Sequence, residues 1–332
     1  ADHSKTPLDP SNKDDKAELR TIPVKGLSMP DSIGAFTASG QTYFATANEG
    51  DARDWEAYSE EVRISKLGRK KLPPLCDGYA GMNAEQIQEF QKDENAGRLK
   101  ITTAFGLNED GTCYDDLYTF GGRSFSIFTS DGQRVFDSGA QFEEITAELL
   151  PEHFNASHTD NELDSRSDDK GPEPEGVTVG EINGRAYAFI GFERLGGVMV
   201  YDITDPEHPA YQAYINNRDF SVNMEELAEN GDDAVQEGLR KVGDLGAEGL
   251  AFVPAKDSPN DHNLLLVGNE VSGTTTVFQV DSLIEQPDET APSPSTSSLS
   301  KGGVIAIALA ALAIVVGALG ALGNVIAAGM TK

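Results

Sequence analysis

One acidic residue recurs at matching ends of paired strand-like runs, and this constrains the fold more than any other feature of the chain. Asp31 stands in Pro30-Asp31-Ser32-Ile33 before one such pair, and Glu49 follows it in Ala47-Asn48-Glu49-Gly50. Glu175 and Glu193 repeat the arrangement in Pro174-Glu175-Gly176-Val177 and Gly191-Phe192-Glu193-Arg194. Glu248 and Glu270 repeat it again in Ala247-Glu248-Gly249-Leu250 and Gly268-Asn269-Glu270-Val271. The first two pairs are each 18 positions apart and the third 22, the added length falling in the polar turn 256–263. Acids at equivalent ends of repeated hairpins imply one ring of carboxylates. The spacing therefore predicts an all-β chain, a β-propeller (whole or incomplete) with an acidic central face.

Strand-like runs dominate what lies between. Residues 42–47, 124–128, 186–191, 198–203, 264–268 and 274–280 are β-branched or aromatic and are bounded by Gly, Asp, Asn or Pro. Two inserts, 83–93 and 222–239, carry helix formers with partial 3.6 periodicity, and Gly231 interrupts the second. Residues 159–174 form an Asp-rich hydrophilic loop that runs directly into the Glu175 motif, which favours a site-lining role.

Charge narrows the classes of partner. Against 55 Asp and Glu there are only 26 Lys and Arg, a formal net charge of −29. No basic stripe is present, so nucleic acid is not an expected partner. The two cysteines, Cys76 and Cys113, have no CxxC-type spacing, which disfavours zinc and iron–sulfur chemistry. They leave two readings open: a disulfide clamping an insertion in an exported chain, or two separate thiols. The five histidines show no HxH or HExxH pattern, and Gly-x-Ser-x-Gly is absent. Asn155-Ala156-Ser157 is a formal glycosylation acceptor.

The end of the chain changes character. Residues 302–330 contain no charged side chain and exceed the roughly 20 apolar residues that a membrane-spanning helix needs. The preceding Pro/Ser/Thr-rich stretch reads as a spacer. The expected layout is an N-terminal extension or blade remnant over 1–26, a β-propeller over 27–284, a linker over 285–301 and a transmembrane helix over 302–330. Such a protein sits in the cell membrane with its globular part extracytoplasmic. Its small residues Gly317, Gly320, Ala321 and Gly323 suit helix–helix contact with another membrane protein.

Longer strings add a resemblance. Residues 43–55, 121–139, 164–177, 188–206 and 268–276 resemble the choice-of-anchor I family over roughly residues 27–280. That family includes cell-surface glycoproteins linked to biomineralisation and bacterial members described loosely as alkaline phosphatase-like. The resemblance implies a surface-tethered propeller, with this chain corresponding to the C-terminal part of the family domain.

The candidate site follows from both lines. Asp31, Glu49, Glu175, Glu193, Glu248 and Glu270 are expected metal ligands, because hard oxygens around a channel suit Ca2+ or another divalent cation. The competing reading has each acid accepting hydrogen bonds from neighbouring strands and tying the ring together. Arg123, Arg166, Lys170 and Arg194 lie close in sequence to the acids and are candidates for holding phosphoryl oxygens. Three functions are carried forward: a membrane-anchored surface binding or structural module, a metal-dependent phosphoesterase, and an accessory subunit docked by its helix on a membrane complex.

Overall fold

The computed structural model describes residues 1–281, which lie within one compact unit, Ala1–Gln286. Its frame is three antiparallel meanders. The first joins Ser32–Ala38, Gln41–Asn48, Ser124–Thr129 and Arg134–Asp137 in spatial sequence. The second, Pro174–Ile182, Arg185–Phe192, Val198–Asp202 and Ala210–Ile215, is uninterrupted. The third has three strands, Ala247–Val253, Leu264–Asn269 and Thr274–Gln279. Each expected strand run lies in one of these sheets.

Local chemistry explains the hairpins. Asn183-Gly184 joins Ile182 to Arg185 with φ of 53° and 77°, and Ser39-Gly40 joins Ala38 to Gln41 with 50° and 76°. Two successive positive φ values make a type I′ turn, whose twist matches that of the flanking strands. Every residue of Val198–Asp202 is buried, as expected of a strand covered on both faces. The first strand of the second meander packs against the first strands of both other meanders. One core, including Phe125, Phe142, Phe192 and Tyr201, lies between the first two sheets. A second, including Phe189, Val200, Leu265 and Val267, lies between the second and third.

The expected propeller is not the fold. The described residues form small, mostly antiparallel sheets that do not close into a ring. The physical reason is where the rest of the chain goes. Residues between Glu49 and Arg123 make short ribbons, turns and single helical turns, together with one short α-helix, Ala84–Phe90. With the N-terminal segment they build a separate apolar cluster around Leu8, Ile64, Leu99, Ile101 and Tyr114. They supply no further four-stranded meander, and the amino-terminal 26 residues, expected as an extension, contribute Leu8, Ile22 and Val24 to this cluster. Cys76 and Cys113 form a disulfide across this region, with Cα atoms 4.9 Å apart.

The second expected helical insert is two short helices, Met224–Glu229 and Asp232–Leu239, separated at Gly231. Gln141–Leu149 is a helix that the sequence reading did not anticipate. No helix among the described residues is long and apolar enough to cross a membrane. The expected linker over 285–301 and transmembrane helix over 302–330 lie outside the described residues.

Candidate functional site

The six motif acids do share one end of the three hairpins. Asp31, Glu175 and Glu248 open the first strands, and Glu49, Glu193 and Glu270 directly follow the second strands. Two of the openings are bulged. Pairing runs Pro174↔Phe192 and then Val177↔Ile190, leaving Glu175 and Gly176 opposite Gly191. It also runs Ala247↔Asn269 and then Gly249↔Gly268, leaving Glu248 unpaired. An extra residue in a strand re-aims its side chain, which is a common device beside sites. Gly176 permits the approach of the next sheet: a Cβ there would stand 2.3 Å from the Glu248 carbonyl oxygen.

Only part of the expected ring converges. Asp31, Glu49 and Glu175 bring carboxylate oxygens within 4.8 Å of one another, and Glu49 joins a second such group with Glu173 and Glu193. Glu49, Glu175 and Glu193 are buried, and Asp31 is exposed beside them. Glu248 and Glu270 stay exposed at the rim. With the described residues, Asp31, Glu175, Glu248 and Glu270 form no ion pair.

Glu173, which sequence reasoning missed, organises the cationic half of the site. It is 0% exposed and sits at φ 52°, a left-handed conformation uncommon outside glycine. Arg194 Nε donates to it at 3.0 Å, Lys170 Nζ lies 3.1 Å away, and Arg166 donates from both Nε and an Nη. Lys170 also bridges to Glu49, and Arg194 pairs with Glu193 at 3.0 Å. Arg123 is elsewhere: its guanidinium donates to Asp9 O, Glu143 Oε1, Ser167 O and Asp169 O, clamping loops together. Three of the four expected basic residues therefore meet at one glutamate, and the fourth does not.

The electrostatics divide accordingly. Burial would raise the Glu173 carboxyl, but Arg166, Lys170 and Arg194 outweigh it and hold the group down at about 2. Burial, with Glu49, Asp31, Glu193 and Glu248 nearby, pushes Glu175 up to about 9. Burial and Glu173 push Glu193 to about 7 against the pull of Arg194. Burial also raises Glu49, opposed by Lys170. His158, lowered to about 4 by burial and by Arg194, is neutral and accepts from Arg194 at 2.8 Å.

The glycosylation acceptor is closed in the folded chain. Asn155 is 0% exposed, and its Nδ2 donates to Glu143 Oε1 at 2.9 Å and Ser167 Oγ at 2.8 Å.

Comparison with known proteins fixes the family. The family model of the choice-of-anchor I domain matches residues 1–206. The chain belongs to that family. This choice-of-anchor I chain is 32% identical over 222 residues to Gigasin-3a of Magallana gigas, covering 64% of this chain and 73% of that protein. It is also 23% identical over 290 residues to the mesenchyme-specific cell surface glycoprotein of Strongylocentrotus purpuratus. That match covers 78% of this chain but only 35% of the much longer sea-urchin protein.

Proposed function

We propose that this choice-of-anchor I chain is a cell-surface binding module whose acidic end holds a hard divalent cation, calcium by preference. The observation that carries the reading is the convergence of Asp31, Glu49 and Glu175 oxygens within 4.8 Å, with no cation among the described residues paired to Asp31 or Glu175. Carboxylates gathered this closely repel one another, and an oxygen-seeking ion of flexible coordination number relieves that repulsion. The surface location rests on family membership and on the name of the sea-urchin relative. Membrane attachment through residues 302–330, and with it docking on a larger membrane complex, is a proposal about residues beyond those described.

Binding is the better reading than phosphoester hydrolysis. The cations nearest the acids, Arg166, Lys170 and Arg194, are already committed to Glu173, so they are poorly placed to hold phosphoryl oxygens as well. Calorimetric titration with calcium chloride, and melting with and without chelator, test the proposal. Calcium should bind and raise the melting temperature, and Glu175→Gln should weaken binding. Absence of binding together with an unchanged melting temperature refutes it. Turnover of an aryl phosphate that Glu175→Gln abolishes would favour hydrolysis instead.

A further inference from the structure

A second acidic cluster shares no residue with those at the sheet ends. Asp9, Asp14 and Asp164 bring carboxylate oxygens within 4.8 Å of one another. Asp9 and Asp14 belong to an excursion of the N-terminal segment closed at its neck by paired hydrogen bonds between Leu8 and Arg20, at 3.3 and 2.9 Å. Asp164 comes from the hydrophilic loop that leads to Glu173.

What distinguishes this cluster is its unfilled acceptors. Asp164 is 2% exposed, and neither of its carboxylate oxygens receives a hydrogen bond from the described residues. The Ser167 hydroxyl is close enough to ease its charge but makes no well-formed hydrogen bond to it. Asp14 Oδ1 is likewise buried without a partner, while Arg20 donates to Asp14 Oδ2 at 3.0 Å. Asp9 is fully buried, and its two oxygens accept from the backbone N–H groups of Ser11 (3.2 Å) and Glu18 (2.8 Å). Asn155 Oδ1 is a further buried oxygen without a donor. It lies on the segment bonded to the Asp164 loop through Asp164 N–H to Phe154 O and Arg166 N–H to Asn155 O.

Buried polar atoms are almost always satisfied, so several unfilled oxygens around three carboxylates point to a missing positive partner. Two guanidiniums, Arg20 on Asp14 and Arg123 beside Asp9, stand against the three aspartates and Glu143, which leaves negative charge in excess. Every ligand is a hard oxygen, and the donors come from irregular loops, a combination that fits calcium better than the strict octahedron of magnesium. We propose that Asp9, Asp14 and Asp164 form a calcium site that staples the N-terminal excursion to the hydrophilic loop.

Calcium titration of the full chain tests this in a Glu175→Gln background, where binding at the sheet ends is weakened. One calcium-binding step should remain there, and adding Asp164→Asn should abolish it. Adding Asp14→Asn instead, at a less buried position, should weaken it by ~10-fold or more through the loss of one charged ligand. Melting gives an opposite-sign check. In chelator Asp164→Asn should melt at or above the parent, because the cost of burying a carboxyl without a partner is gone. In excess calcium chloride it should melt below the parent. The proposal is overturned if no calcium step remains in the Glu175→Gln background, or if Asp164→Asn and Asp14→Asn leave that step intact. It is also overturned if magnesium chloride binds as tightly, or if Asp164→Asn lowers melting equally with and without calcium.

Discussion

Glu173 and Glu175 are two positions apart, both buried, and held in opposite charge states. Burial alone would raise both carboxyls; three cations bring the first down to about 2, while four carboxylates help drive the second to about 9. The lesson is that company, more than depth, decides which carboxylate is locked as an anion and which is left to seek a proton or a cation. Only Pro174 separates the buried anion that three cations share from the carboxyl proposed to bind a cation.

The largest test of that contrast removes the keystone. Glu173→Gln leaves Arg166, Lys170 and Arg194 without their shared anion, and breaking such a buried network costs about 3–5 kcal/mol. Urea unfolding should register that loss, and an unchanged midpoint would show that the cations find other partners. Glu175→Gln should do the reverse in chelator. It removes mutual repulsion and raises stability by about 1 kcal/mol, after discounting for the solvent that reaches this end of the sheets beside exposed Asp31 and Glu248. A loss of stability would mean that Glu175 has an anionic structural role.

Acid and alkaline limbs of the stability profile should separate the pair. Glu173 has a folded pKa below the ordinary 4.5, so its contribution is complete above that value and is lost as pH falls through about 2. Glu175 has a raised folded pKa, so its cost is absent below 4.5 and grows as pH rises to about 9. Melting curves in chelator should therefore decline toward both extremes. Glu173→Gln should flatten the acid limb and Glu175→Gln the alkaline one. The smallest effect belongs to the rim: Glu270→Gln, exposed and free of ion pairs with the described residues, should shift stability by less than about 0.5 kcal/mol.

Apolar runs bounded by Gly, Asp and Asn make the hairpins legible in the sequence. Residues 186–191 and 198–203 are continuous apolar runs punctuated by Gly and Asp, as neighbouring strands buried on both faces are, and the acids at their ends share one side. Closure was not readable, because strand runs report pairing between neighbours and say little about how many sheets remain to complete a ring. The stretch between Glu49 and Arg123 could have held another blade by length, yet it folds around Leu8 and Tyr114 instead. Glu173 carried no signal of its own. Its partners lie seven and three residues before it and 21 after it, and only the fold brings them together. The Asp9 cluster was hidden more deeply still, since Asp164 stands some 150 residues from its partners.

The sealed amide of Asn155 has a practical consequence for making this protein. A eukaryotic secretory host reads Asn155-Ala156-Ser157 on the emerging chain, before Glu143 and Ser167 can claim that nitrogen. A sugar placed there would have no room in the finished fold, so attachment and folding compete for the same atom. Material from a bacterial host, or an Asn155→Asp variant made alongside it, should show which of the two wins.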